Sequence, residues 1–233
     1  AREYLDQLVD GGPYVEDFDG PLERIEQDGT NEYILEQSVL GGEEDTIRLV
    51  KSDRLELVSP DGTTTKAYSA EVGDCTVAVA SDSSFLTIFV NGTLTFTLHE
   101  KVNILSPLQR SIAITDAGYV AFHTDEHQKQ IFNLVSWDGE VVLQRRVQVA
   151  RPPSFTPDGA YVGFWNLSEK TIYCYDVEAA ELSGSRDSTE FKDSNLSVTG
   201  VEYEGQPAFE IADSSGGTND IVGYLAPNGR VLK

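Results

Sequence analysis

The sequence predicts an all-β fold, a β-propeller of four-stranded antiparallel blades in which five blades are expected. The first observation is a succession of short runs in which apolar and polar residues alternate, the period of a half-buried strand. The second is that tight-turn signals such as Asp-Gly and Asn-Gly separate these runs. The third is a repeat of 36 to 44 residues, the size of a four-stranded blade. The repeat units are taken to start at Tyr33, Asp74, Arg110, Pro153 and Ser197.

The first 31 residues are predicted to form an appendage packed on the domain, with the propeller itself covering residues 32–233. Residues 1–9 place their apolar side chains at near-helical spacing, and the Gly-Gly-Pro run at residues 11–13 ends the pattern. We therefore expect a short amphipathic helix there. Residues 14–31 are acidic and are expected to wrap the domain and to contribute one edge strand.

The first two units show the strand pattern clearly. The first unit contains EYILEQSVL, DTIRLVKS, DRLELV and TTTKAYS, with a Pro-Asp-Gly turn at residues 60–62. The second unit begins at Asp74 with CTVAVA, FLTIFV and TLTFTLHE, and its fourth strand is expected near residues 103–105. Asn91-Gly92 between two alternating runs is a strong hairpin signal.

The third, fourth and fifth units continue the pattern to the end of the chain. In the fourth unit, strands are expected at residues 154–156, 161–166, 171–177 and 182–185. Tight turns join the third and fourth strands at one common place in the first, third and fifth units, as Ser-Pro-Asp-Gly, Trp-Asp-Gly and Pro-Asn-Gly. A two-sheet sandwich is the main alternative fold, because it also has short alternating strands. The repeated turn positions favour the propeller.

The segment FTPDGAYVGF at residues 155–164 resembles the TolB and WD40-like propeller repeats, whose motif approximates F-S-P-D-G followed by an apolar strand. ITDAGYVAF at residues 114–122 is a fainter copy. The Gly-His and Trp-Asp dipeptides of true WD40 blades are absent, apart from Trp137-Asp138 in a turn. The resemblance implies a propeller repeat fold and supplies no active site.

The net charge of −22, from 39 acidic and 17 basic residues, is the most pronounced feature of the composition. The carboxylates are dispersed along the chain and lysine is scarce, a composition that resembles proteins of salt-accumulating halophilic archaea. Such a surface holds water and bulk monovalent cations, and molar salt screens its self-repulsion. The same field repels a phosphate backbone, so direct nucleic-acid binding is not expected.

No cofactor is expected, because neither a P-loop nor a Gly-x-Gly-x-x-Gly motif occurs. No apolar run approaches the length of a membrane span, and no signal-peptide pattern is visible at the N-terminus. A cytoplasmic location is therefore the expectation, with the cell exterior or a virion surface as the alternative. Cys75 and Cys174 are expected to be small buried hydrophobes.

The candidate binding residues are two tryptophans and a locally basic segment. Trp137 lies in a predicted turn and Trp165 at a predicted strand end, so one of them is expected to be partly exposed. Arg145, Arg146 and Arg151 lie in the segment QRRVQVAR of an otherwise acidic chain. Tryptophan and arginine are enriched in protein-interaction hot spots. The alternative is that these arginines pair with neighbouring carboxylates.

Other polar clusters are weaker candidates. His123 and His127 flank Asp and Glu and could ligate a metal, but they are expected in a solvated hairpin loop, so no metal site is predicted. Asp74, Asp116 and Asp158 could provide the acid and base of a glycoside hydrolase, although Asp116 and Asp158 occupy turn positions. Asn91, Asn166 and Asn195 begin glycosylation sequons.

The sequence therefore predicts a non-enzymatic propeller that serves as a protein-protein interaction platform in a halophilic archaeon or its virus. One alternative is an exported or virion-surface propeller that binds glycans or a receptor. The other is a five-bladed glycoside hydrolase.

Overall fold

The computed structural model describes most of the chain from residue 24 onward. The described residues are 24–28, 32–36, 46–50, 54–58, 64–80, 86–91, 93–98, 102, 112–126, 129–191, 195–215 and 219–232. The expected helix at residues 1–9 and the expected strand near residues 103–105 lie outside them. Apart from a 3-10 turn at Ser188–Phe191, the regular structure of the described residues is β-strand, which confirms the predicted all-β class.

The chain divides into two compact units. The first comprises Ala1–Val102 with Trp137–Gly139, and the second comprises Asn103–Ser136 with Glu140–Lys233. The predicted boundary between residues 31 and 32, and the count of five blades, stay predictions.

The first unit contains one eight-stranded antiparallel sheet in which each strand pairs with the next along the chain. Its strands are β1 (Arg24–Asp28), β2 (Glu32–Glu36), β3 (Thr46–Val50), β4 (Arg54–Val58), β5 (Thr64–Val72), β6 (Cys75–Ala80), β7 (Leu86–Val90) and β8 (Thr93–Leu98). The strand β1 confirms the edge strand expected from the acidic lead-in.

The predicted division between the first and second repeat units is wrong in one respect. The strands β5 and β6 were expected in separate blades, but Val72 pairs with Cys75 and the two strands form a hairpin within one sheet. Only Gly73 and Asp74 lie between them, and Gly73 has a φ of 57°. A two-residue connection closes a hairpin and is too short to carry the chain to another sheet.

The second unit contains three separate four-stranded antiparallel sheets. Their strands are β9 (Ile112–Thr115), β10 (Tyr119–Glu126), β11 (Lys129–Ser136) and β12 (Val141–Val147); β13 (Ser154–Phe155), β14 (Tyr161–Asn166), β15 (Thr171–Asp176) and β16 (Glu181–Asp187); and β17 (Leu196–Tyr203), β18 (Gln206–Asp213), β19 (Asp220–Leu225) and β20 (Val231–Leu232). We call the sheet of β9–β12 blade A, the sheet of β13–β16 blade B and the sheet of β17–β20 blade C. In each, consecutive strands are neighbours, as the repeat predicted.

The three blades are arranged as consecutive blades of a β-propeller. The first strand of blade B, β13, contacts the first strands of both neighbours, β9 and β17. The sheets therefore adjoin along their inner strands and face one another along their length. This arrangement is the solution by which four-stranded meanders bury both faces.

Two hydrophobic clusters fill the spaces between the blades. The cluster between blades A and B is centred on Phe132, Phe164 and Tyr175. Phe132 and Phe164 have ring centroids 4.8 Å apart, and Phe132 stacks on Tyr175 at 5.4 Å. The cluster between blades B and C contains Trp165, Phe209 and their neighbours. Alternation along each strand directs one set of side chains into each cluster.

Glycine permits the closest contact between blades B and C. A Cβ at Gly200 in β17 would lie 1.7 Å from the carbonyl oxygen of Phe155 in β13, so only glycine fits there. The Gly200 amide also donates to Ser154 Oγ at 2.9 Å. The inner strands of these two blades thus meet backbone to backbone.

Candidate functional site

The guanidinium of Arg145 packs against the aromatic residues of blade B. Arg145 is half-buried on β12, the outer strand of blade A. Its Nη1 donates to Tyr175 Oη at 2.6 Å, and its Cζ lies 4.7 Å from the centroid of the Tyr173 ring. A hydrogen bond combined with a cation–π contact fixes this side chain between the two blades.

The tyrosines around Arg145 carry a second polar contact. Tyr173 Oη donates to Glu169 Oε2 at 2.5 Å. Burial raises the pKa of Tyr175 to about 12, and the neighbouring Arg145 offsets part of that rise. Burial also raises the pKa of Tyr173, so the hydroxyls of Tyr173 and Tyr175 both stay protonated at neutral pH. The contacts of Arg145 are therefore with tyrosines and not with a carboxylate, which was the alternative expected from sequence. Through them Arg145 links blade A to blade B.

The segment that follows β12 is held firmly by backbone hydrogen bonds. The Ala150 amide donates to Gln130 Oε1 at 2.6 Å, and the Arg151 amide donates to the Trp165 carbonyl at 2.7 Å. The Leu167 amide donates to the Val149 carbonyl at 2.7 Å. These bonds fix the segment to the end of β14. Its β-pairing there is limited to one isolated bridge, between Ala150 and Asn166.

Exposed basic and apolar side chains occur on β12, on this segment and at the end of β14. Arg146 is exposed, Val149 is 51% exposed and Leu167 is 36% exposed. Arg151 is half-buried, and its Nη2 donates to Asn195 Oδ1 at 2.6 Å. We call Val149, Arg151 and Leu167 the basic–apolar surface. Arg146 lies on the opposite face of β12 from Arg145, which packs on blade B, and is not part of this surface. Val149 and Leu167 were not predicted as site residues. The sequence signal that could have identified them is an apolar residue just beyond the end of a predicted strand.

The two tryptophans do not join this surface. Trp165 is 1% exposed and belongs to the cluster between blades B and C, so it offers no contact area to a partner. Trp137 is half-buried, and a Cβ at Gly73 would lie 3.1 Å from its Cη2. The Nε1 atoms of both indoles are buried and have no hydrogen-bond partner among the described residues.

The expectation that His123 lies in a solvated loop is wrong. His123 belongs to β10, pairs with Phe132 across the hairpin, and is 2% exposed. Its ring meets Phe164 edge-on at 4.9 Å. Burial lowers the pKa of His123 to about 3, so the imidazole is neutral at pH 7. His127 lies outside the described residues, within which no group of three potential metal ligands occurs.

The acidic candidates for hydrolysis lie in exposed turns. Asp158 Oδ1 accepts hydrogen bonds from Thr156 Oγ1 at 2.6 Å and from the Ala160 amide at 3.1 Å. These are the bonds by which an aspartate shapes its own turn. Asp74 and Asp116 are also exposed turn residues. The positions of Asp116 and Asp158 agree with the turn role expected for them, and Asp74 also lies in a turn.

The sequons and cysteines also have defined environments. Asn166 is fully buried, and its Oδ1 accepts from the Glu169 amide at 3.3 Å, so the folded chain does not offer it for glycosylation. Asn91 lies in an exposed turn at a φ of 50°.

Cys75 and Cys174 are buried free thiols, as expected, and burial raises the pKa of each to about 12.

No described helix has the length and apolar character that a membrane crossing requires.

Comparisons with known proteins give fold-level likenesses only. No protein-family model matches the chain. No curated protein matches it either. Among solved structures, it is similar to regucalcin, a calcium-binding protein from Agrobacterium tumefaciens strain C58, with 15% identity over 81% of this chain and 69% of that one and a TM-score of 0.42.

Two other solved structures are similar to the chain at comparable levels. One is the Dos1 propeller, with 10% identity, a TM-score of 0.48, and coverage of 83% of this chain and 57% of that one. The other is virginiamycin B lyase from Staphylococcus aureus, with 11% identity, a TM-score of 0.47, and coverage of 89% and 67%. The chain thus spans little more than half the length of the Dos1 propeller. At these TM-scores the likenesses assign no function.

Proposed function

We propose that the protein is a non-enzymatic β-propeller that docks a partner protein through the basic–apolar surface. The observation that carries the proposal is the exposed pair Val149 and Leu167, joined by a backbone hydrogen bond, with Arg151 beside them on the same segment. Protein interfaces combine an apolar core with a polar rim, and arginine is enriched in them and in their hot spots.

Charge supports a specific kind of partner. The chain carries −22 overall, whereas the charged member of this surface is an arginine, Arg151. A partner with an acidic segment and an apolar side chain at its centre would find complementary charge here and repulsion over much of the remaining acidic chain. At molar salt the charge contribution is screened, so the apolar contact carries most of the affinity.

The rigidity of residues 149–151 also supports the proposed docking of a partner protein. Two backbone–backbone hydrogen bonds, and a third from the Ala150 amide to the Gln130 side chain, hold residues 149–151 in one conformation before any partner arrives. A preformed surface loses less conformational entropy on binding than a flexible one. From the acidic composition we also propose that the protein works in the cytoplasm of a halophilic archaeon or in its virus, surrounded by bulk cations and without direct contact to nucleic acid.

The test is affinity capture at molar salt with the full chain as bait and native cell extract as prey. Val149→Asp is expected to weaken partner capture by about thirtyfold, the effect of losing about 2 kcal/mol at a hot spot. Val141→Asp is the matched control, because Val141 is a 42% exposed valine on β12, outside the basic–apolar surface. It should leave capture unchanged.

A second variant separates binding from stability. Arg145→Gln removes the link to Tyr175 and should lower the melting temperature while leaving partner capture near the wild-type level. Equal loss of capture in the Val149 and Val141 variants, or the absence of any specific partner from the wild-type bait, would refute the proposed function.

A further inference from the structure

A cavity of about 410 Å³ lies between blades B and C, away from the basic–apolar surface. All of its lining residues belong to the second unit. Its volume falls within the range of small-molecule sites, about 300 to 1,000 Å³. The side chains that matter for its chemistry are Tyr161, Ser183, Tyr203, Glu204, Gln206 and Arg230.

The wall formed by the turn between β19 and β20 is rigid. The Gly229 amide donates to the Ala226 carbonyl at 2.9 Å, and the Arg230 amide donates to Asn228 Oδ1 at 3.1 Å. This turn packs on β16, because a Cβ at Gly184 would lie 2.2 Å from the Asn228 carbonyl carbon. The turn therefore cannot move toward β16, and the cavity is preformed on this side.

The opposite wall is formed by the turn between β17 and β18. Glu204 and Gly205 have φ values of 52° and 76°, which define a tight hairpin turn. The Tyr203 ring stacks on Tyr224, with centroids 4.3 Å apart. This stack restricts the Tyr203 ring that lines the cavity.

The lining combines aromatic rings with planar polar groups. Tyr161 and Tyr203 supply aromatic faces, while Gln206 and Ser183 supply donors and acceptors. Arg230 and Glu204 add one positive and one negative charge, so the lining has no net formal charge in a chain of −22. An anionic or cationic ligand would therefore gain little from net charge here. A wholly apolar ligand would make no use of the hydrogen-bonding groups of Glu204, Gln206 and Arg230, which are exposed in the lining.

We propose that this cavity binds a neutral mono- or disaccharide. A pyranose ring has an apolar C–H face that packs on an aromatic ring, and its edge carries hydroxyls that both donate and accept. Those two properties match the tyrosine faces and the amide, carboxylate and guanidinium groups around them. The volume accommodates one or two sugar rings. This ligand site is separate from the proposed docking surface and does not depend on it.

The test uses the full chain at molar salt on an array of neutral mono- and disaccharides, followed by calorimetric titration of the saccharide with the strongest signal. Ser183→Trp should fill the cavity and weaken binding by about tenfold or more. Leu182→Trp is the matched control, since Leu182 neighbours Ser183 on β16, is 45% exposed and is not among the lining residues. It should bind as the wild type does.

Tyr203→Ala keeps the test informative if Ser183→Trp fails to fold. It should weaken saccharide binding by about tenfold, with near-UV circular dichroism confirming that the fold is retained. A proline-rich peptide on the same array tests the competing ligand class. No saccharide signal for the wild type, equal affinity in the Ser183 and Leu182 variants, or peptide binding in place of sugar binding would each overturn the proposal.

Discussion

The two units differ in how the chain passes from one group of four strands to the next. In the first unit, Gly73 and Asp74 alone separate β5 from β6, and all eight strands form one sheet. In the second unit, residues 148–153 separate β12 from β13, and residues 188–195 separate β16 from β17. Each of these longer connections begins a new sheet.

The difference shows that connection length, together with strand pattern, decides whether a repeat becomes a separate blade. A chain that leaves an outer strand must travel to the inner edge of the next sheet, which takes several residues. The second unit also has a 3-10 turn in one connection and hydrogen bonds to β14 in the other. The stability of the second unit consequently depends on contacts between separate sheets as well as on pairing between neighbouring strands.

The largest expected effect breaks the contact between sheets in the second unit. Gly200→Val should lower the free energy of unfolding by about 3 kcal/mol or more, because its Cβ would collide with the Phe155 backbone, which cannot move aside as a side chain could. Chemical denaturation at molar salt measures the loss. Gly205→Asn is the control, since a Cβ there meets no atom within 4 Å and asparagine tolerates its positive φ. Equal stability of the two variants would contradict the importance of this contact.

A pH dependence should come from His123 at the contact between blades A and B. Because the pKa of His123 falls from 6.5 to about 3 on folding, protons bind preferentially to the unfolded chain. Its contribution is therefore fully present above pH 6.5 and is lost as pH falls toward 3. At pH 5 we expect a loss of about 2 kcal/mol relative to pH 7.

Thermal melts at a series of pH values test this contribution. His123→Phe should flatten the dependence between pH 7 and pH 5, because it removes the titrating group and keeps an aromatic ring between Phe132 and Phe164. A variant whose melting temperature falls with pH as steeply as the wild type would assign the dependence to other groups.

The smallest expected effect sharpens the comparison of connections. Inserting Gly-Ser-Gly-Ser between Gly73 and Asp74 should cost only about 1 kcal/mol, the loop-closure entropy of a longer hairpin. The same insertion between Asn228 and Gly229 should cost more, because that turn packs against Gly184. The denaturation midpoints of the two variants measure these costs. A larger loss of stability from the insertion after Gly73 would contradict the proposed difference between the two turns.

Much of the fold could be predicted from sequence, most accurately in blade B. The strand expected at residues 161–166 is β14 as observed, and the strand expected at 171–177 differs from β15 by one residue. These strands alternate clearly and end at turns that contain Asp and Gly, so local patterns suffice to define them.

The candidate site was predicted only in part. The basic segment was identified from its arginines, but sequence could not distinguish Arg145, which stacks on Tyr173, from exposed Arg146 beside it. Their difference depends on which side of β12 faces blade B. The polar run after Phe122 was assigned to a loop because its residues favour solvent, yet pairing with β11 and packing against Phe164 place His123 in the core.

By itself the sequence determined the all-β class, the strand periods, most turns and the acidic composition, because these follow from local residue order and counts. Only the tertiary structure decided which strands share a sheet, which arginine is exposed, and where a cavity forms between Tyr161 and Tyr203. Those outcomes depend on contacts between residues far apart in the chain. The alternation of side chains shows that a strand has two faces, but it does not show what each face meets.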